Sequence, residues 1–358
     1  MNKFSPTVCC ILLLAALDVC AWCGNAIPQM SSGYGADGPA AVATDSVRGR
    51  FLVHDAYFLF RPKDAKLPLP VIFFFPGMGK GGDMPITYDR LLRHLASRGY
   101  CVILLTYRMV SFPYQGMTYH RMFRGIQHAV RSWSAFIDTT RIGMVGHSFG
   151  ASCIPYHLSR TITRQHWGAN GAFMYLMAPH YVFEITQEQL THFPAGVKLI
   201  AEVFQDDDCN DHRMAKDIFE TIGIPDSEKN FVVLLSDSNA SSRCKLEADH
   251  STPTTFDRGH NATDALDFYG VFRYLDALAE YAFTGNPAAK ALALGPGTDA
   301  QRFMGTWPDG TPVKQAIISR AAPLVRPHTF YYFHWMHPWN VRRKTYHLWM
   351  PDSATLNP

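Results

Sequence analysis

The sequence predicts an α/β fold, a mostly parallel central sheet with helices on both faces. Short unbroken apolar runs recur between turn residues, and helical patterns separate them. Strands alternating with helices pair in parallel, and strands covered on both faces read as continuous apolar runs. Length sets the scale. A chain of 358 residues, 47% apolar and 18% charged, suffices for one large domain or two ordinary ones.

In chain order, "FLVHDAYFLF" (51–60) alternates as a half-exposed strand does. The runs "LPVIFFFPG" (69–77), "CVILLTY" (101–107), "IGMVGHS" (142–148), "GAFMYLMAP" (171–179), "VKLIAEVF" (197–204) and "FVVLLSD" (231–237) predict buried strands. Between them, Ile86, Leu91, Leu92 and Leu95 fall near one helical face, with Gly99 placed to stop the helix. Met122, Ile126, Val130 and Trp133 stripe a second helix. The clearest helix carries Phe268, Val271, Phe272, Leu275, Leu278, Ala279 and Ala282, with Thr263 as its cap and Gly285 and Pro287 as its end. Beyond Pro287 an Asp-Gly turn in "MGTWPDGTPV" (304–313) and the aromatic run "TFYYFHWMHPW" (329–339) predict a C-terminal β-rich extension. The domains expected are therefore 33–285 and an extension, 286–358, packed on it.

Residues 1–26 have the pattern of a signal peptide. Lys3 precedes the apolar stretch Val8–Leu17, which is too short to span a bilayer, and small residues allow cleavage near Ala26. A secreted or periplasmic location is expected. Lipoprotein anchoring at Cys20 is disfavoured because Asp18 and Val19 precede it. A formal net charge of +3 gives no reason to expect nucleic acid as a partner.

The stretch that points to chemistry is "GHSFG" (146–150). The G-x-S-x-G pattern alone is weak, turning up by chance in about one chain in ten of this length. Its setting is stronger. A strand leads into Ser148 and a helix follows, the turn that lifts a serine hydroxyl clear of a sheet. The N–H of Phe149, at a helix start, is then one donor for a developing oxyanion. The second is the N–H of Met78, in the loop after "FFFPG" (73–77). That glycine-rich loop is no nucleotide cradle, because Lys80 is followed by glycine rather than Ser or Thr.

Serine becomes a nucleophile only when a base takes its proton and an acid orients that base. Asp206, Asp207 and Asp208 lie just past a strand; Asp208 is the expected acid and Asp207 its competitor. His250, on a polar loop after the last strand, is the expected base, and His260 the alternative. No calcium loop is expected, since the aspartates there lack the glycine at the sixth position. The histidines at 328, 334, 337 and 347 lack metal-ligand spacing, so no metal is expected. Convergence of the two loops also suggests a disulfide between Cys209 and Cys244, with two free thiols as the other possibility.

Together "GHSFG", "FFFPGMG", the acid after "LIAEVF" and the late "ADH" resemble the α/β-hydrolase superfamily. "YGADGPAAVATDS" and "YDRLLRHLASRGYCVILL" are similar to its dienelactone-hydrolase-like branch, which includes platelet-activating-factor acetylhydrolases and polyester hydrolases. The resemblance covers about residues 38–285. It implies a serine esterase without cofactor, acting on a small-molecule, lipid or polymer ester. Its triad would be Ser148, Asp208 and His250, and its oxyanion hole Met78 and Phe149. An acyltransferase or peptidase would use the same groups. The rival outside enzymes is a non-catalytic binding protein on the same fold. Tyr331, Tyr332, Trp335 and Trp339 are expected either to pack on the sheet edge or to line an acyl site.

Overall fold

A computed structural model describes residues 26–47, 56–79, 84–107, 115–257, 260–261, 263–320 and 326–344. The proposed signal peptide, apart from Ala26, lies outside them. So do the first residues of the strand expected over 51–60.

Each of the six buried runs forms a strand. In chain order the elements are β1 (Val42–Val47), β2 (Tyr57–Pro62), β3 (Leu69–Phe75), α1 (Pro85–Ser97), β4 (Cys101–Leu105), α2 (Gln115–Ser132), β5 (Ile137–His147), α3 (Phe149–Gln165), β6 (Ala172–Met177), α4 (Gln187–Thr191), β7 (Val197–Phe204), α5 (Arg213–Thr221) and β8 (Lys229–Leu234). Two small hairpins follow, β9 (Asp237–Asn239) with β10 (Cys244–Leu246) and β11 (Phe256–Asp257) with β12 (His260–Asn261). A π-helical segment, Leu266–Phe272, runs into α6 (Arg273–Thr284). Then come α7 (Pro287–Leu294), α8 (Asp299–Arg302) and β13 (Ile317–Ser319).

The main sheet has the order β1-β2-β4-β3-β5-β6-β7-β8-β13. Strands β3 to β8 run parallel, whereas β1, β2 and β13 are antiparallel additions at its edges. Side chains of a strand alternate between faces, and β3 shows the result. Val71, Phe73 and Phe75 join a core with α2, α3 and α5, while Ile72 and Phe74 join another with α1 and α6. Each such buried side chain stabilises the fold by about 1.5–3 kcal/mol. No helix among the described residues is long and apolar enough to cross a membrane.

Details differ from the expected pattern. Ile86, expected on the buried face of α1, is 58% exposed because helical phase sets it opposite Leu91, Leu92 and Leu95, and Tyr88, in phase with them, turns inward at a break in the first turn. Thr263 does not cap the last long helix; Ala265 stands at its start without a side-chain cap. Gly285 ends α6 as expected, in the left-handed region at φ 73°.

Among its described residues the extension is not β-rich: they form α7, α8, a 3₁₀ turn at His328–Phe330, the isolated bridge Thr306–Pro312, a bridge of Phe333 to Asn210 and the three-residue β13. The Asp-Gly turn does form: Gly310 N–H donates to Trp307 O and Trp307 N–H to Thr311 O. Its other described residues are irregular, and several of their large side chains complete the two cores. Met304, Trp307 and Val313 are buried under β8 and α6, and Tyr331 and Trp335 are buried near α5.

Five such side chains, at about 2 kcal/mol each, rival the whole net stability of a domain. Deleting residues 286–358 is therefore expected to abolish soluble, folded protein rather than alter its selectivity. Soluble yield and far-UV circular dichroism of the truncated chain check this.

Candidate active site

Ser148 stands between the end of β5 and the start of α3. Its φ of 54° and ψ of −124° are strained for a residue with a side chain. The flanking glycines make the turn possible. A Cβ on Gly146 would lie 2.9 Å from Ala151 N, and one on Gly150 would lie 2.1 Å from Phe75 O. The turn is also held from the side: Ser148 N–H donates to Met177 O at 2.9 Å, and His180 N–H donates to Ser148 O at 3.1 Å.

Opposite the hydroxyl lies His250, its Nε2 at 3.0 Å from Ser148 Oγ. Its Nδ1 is 2.8 Å from Oδ2 of Asp207, not of Asp208. Asp207, the stated competitor, rather than the expected Asp208 is thus the aspartate brought to His250. The chain turns at once after β7, with Asp207 N–H bonded to Phe204 O. This turn points three neighbouring carboxylates in three directions. Asp206 goes outward to Arg326 at 2.6 Å, Asp207 is buried towards His250, and Asp208 is exposed. The main-chain N–H groups of Cys209 and Asn210 both donate to Asp207 Oδ1, at 2.8 and 2.9 Å. His250 fills the place of the base. His260 lies ten residues further on, in β12.

Electrostatics follow from burial. Burial raises the Asp207 pKa, but His250 beside it and the N–H donors outweigh that and hold the carboxyl below its usual range. On His250 burial works against the charge, yet Asp207 overrides it and raises the imidazole well above its ordinary value. His147 packs its ring 4.7 Å from that of His250. Burial, then the nearby His250, push its own pKa well down, so it stays neutral.

The expected oxyanion donors flank the serine. Gly77 lies close enough that a Cβ there would be 3.4 Å from Ser148 Cβ, and Met78 follows it half-buried. Among the described residues, the N–H groups of Met78 and Phe149 make no hydrogen bond. The loop is anchored one residue earlier. Gly77 N–H donates to the Tyr88 hydroxyl at 2.9 Å, and that hydroxyl lies 2.9 Å from His147 Nδ1. Burial keeps the Tyr88 phenol protonated.

Two features were not identified from the sequence. Tyr88 precedes Leu91, Leu92 and Leu95 by three, four and seven residues, so periodicity marks it as buried but carries no sign of its contacts with Gly77 and His147. Asn210 is buried, with Nδ2 donating to Ala178 O at 2.9 Å and reaching Ser148 Oγ at 3.3 Å. Only its place three residues after Asp207 could have suggested it.

The extension borders this site. Tyr332 N–H donates to Asp208 O, Phe333 N–H to Cys209 O, and Asp211 N–H to Phe333 O. Tyr331 and Trp335 are buried in packing, whereas Tyr332 and Trp339 are exposed. The expected Cys209–Cys244 disulfide does not form: Cys209 is a free thiol, and Cys244 is engaged in a different disulfide.

No protein-family model matches the chain, and no curated protein matches it.

The geometry makes a direct prediction for NMR titration of the His250 imidazole. Asp207→Asn should lower its pKa, because the charge that holds it up is gone, whereas Asp208→Asn should leave it unchanged. The reverse result would return the acid's role to Asp208.

Proposed function

We propose that the protein is a serine hydrolase of the α/β-hydrolase fold, cleaving carboxylic esters through an acyl-enzyme. The observation that carries this is the hydrogen-bonded chain Ser148 Oγ–His250–Asp207, at the carboxyl edge of a parallel sheet. The strained strand–turn–helix at Ser148 supports the same reading, since such strain collects at functional sites.

In the proposed reaction His250 Nε2 takes the Ser148 proton as Oγ attacks the ester carbonyl. The N–H groups of Met78 and Phe149 receive the oxyanion, each donor lowering the barrier by about 3–4 kcal/mol. The tetrahedral intermediate collapses, and the leaving alkoxide takes the proton from His250. Water then adds to the acyl-enzyme by the same route and frees Ser148. Asp207 stays ionised throughout; it holds the imidazole with Nδ1 protonated and stabilises the imidazolium. The apolar N-terminal segment supports export of the enzyme.

Two predictions test this reading. Ser148→Ala should lower kcat for short p-nitrophenyl esters by about 10⁴-fold or more, and a fluorophosphonate should label Ser148 in the wild-type chain. An alanine variant of undiminished activity would sink the proposal. The second concerns pH. A protonated His250 cannot act as base, so activity falls as pH drops through the folded pKa of the imidazole. That pKa is raised, so the acid limb of the kcat/KM profile should lie above the 6.5 of free imidazole. A midpoint below that value would count against the Asp207–His250 pair as the working base.

A further inference from the structure

We infer that Asn210 is an additional catalytic residue, whose side-chain amide donates a hydrogen bond to Ser148 Oγ and stabilises that oxygen as it gains negative charge. This rests on the serine-hydrolase reading and extends it to an atom that the two main-chain donors do not serve. They face the carbonyl oxygen of the substrate, whereas Asn210 faces the oxygen of the enzyme.

Three contacts carry the inference. Nδ2 lies 3.3 Å from Ser148 Oγ and 2.9 Å from Ala178 O. The Ala178 carbonyl can only accept, so it fixes which end of the amide is nitrogen and leaves the second N–H for Oγ. The main-chain N–H of the same residue donates to Asp207 Oδ1 at 2.9 Å. Asn210 is therefore bonded to the nucleophile and to the acid at once. It cannot drift from either, because its flanking main chain is pinned to Phe333 on both sides.

A packing role alone does not account for the arrangement. Asn210 is 1% exposed, and its Oδ1 is buried with no hydrogen-bond partner among the described residues. Burying an amide with one end unsatisfied is costly, and an apolar residue of that size avoids the cost. What the apolar residue lacks is a donor at Oγ.

The donor acts in both halves of the cycle. In acylation Oγ gives its proton to His250 Nε2 and its lone pair to the carbonyl carbon, while the carbonyl π pair moves onto oxygen. A donor on a second lone pair of Oγ directs the hydroxyl proton towards His250 and eases its loss. In deacylation the C–Oγ bond breaks, and Oγ leaves with that electron pair, taking a proton back from His250. The same N–H stabilises it as a leaving group.

The test uses the full-length chain with Asn210→Ala and Asn210→Leu, the second keeping the branched outline without the donor, both checked by thermal melting. Each should lower kcat for p-nitrophenyl acetate about 10- to 100-fold, with KM within about threefold. The rate of fluorophosphonate labelling at Ser148 should fall in parallel, since it reads the nucleophile without a substrate pocket. Single-turnover acylation and deacylation should both slow. Either folded variant labelling and turning over within about twofold of wild type would overturn the inference. So would slowing of deacylation alone, which would place the amide on the water rather than on Oγ. Failure of the parent reading looks different: wild type would not be labelled, or Ser148→Ala would keep its activity.

Discussion

The main chain at Ser148 is held at φ 54° by close packing, and the arrangement of the groups around the serine follows from that turn. The N-terminus of α3 presses so closely on the end of β3 that Gly150 has no room for a Cβ beside Phe75 O. That contact brings three things to one point: the serine hydroxyl, the first N–H groups of a helix, and the loop after β3 that carries Met78. The strain costs of order 1–3 kcal/mol, which the buried sheet around it can carry. A relaxed turn would turn the hydroxyl away from His250 and dissolve the site.

Around this turn the protein manages buried charge by pairing it. Asp207 is fully buried and ionised, which is tolerable because His250 and two main-chain N–H groups meet it. Four residues on, Asp211 repeats the device for a structural purpose, meeting Arg213 and the N–H of Trp335. The loop after β7 therefore faces His250 and Ser148 at one aspartate and the C-terminal segment at the other. A further ion pair between Asp217 and Arg342 fastens that segment to α5. The described part of the extension is joined to the loop after β7 by main-chain hydrogen bonds and buries its own side chains in the core.

The histidines beside the base illustrate the opposite solution. His147 and His180 lie in the same region, and burial drives both pKa values down, His180 to about 3. Kept neutral, they surround His250 without competing for its proton. Of these three imidazoles the one that touches a carboxylate is raised, so His250 differs from its two neighbours by one hydrogen bond.

Much of this was legible along the chain. Apolar runs of the right length fixed the six parallel strands, because burial on both faces is written in each strand's own residues. Gly146, Ser148 and Gly150 announced the turn, since no other residues close it, and the order of serine, acid and histidine followed from loops after successive strands. The choice between Asp207 and Asp208 was not legible. Adjacent carboxylates are chemically alike, and which one faces inward depends on a turn held by Phe204 and by Tyr332 and Phe333 from far away in sequence. Asn210, Tyr88 and the free thiol of Cys209 belong to the same class. Periodicity records how deeply a residue is buried, whereas a partner distant in sequence is set only when the tertiary fold brings the two together.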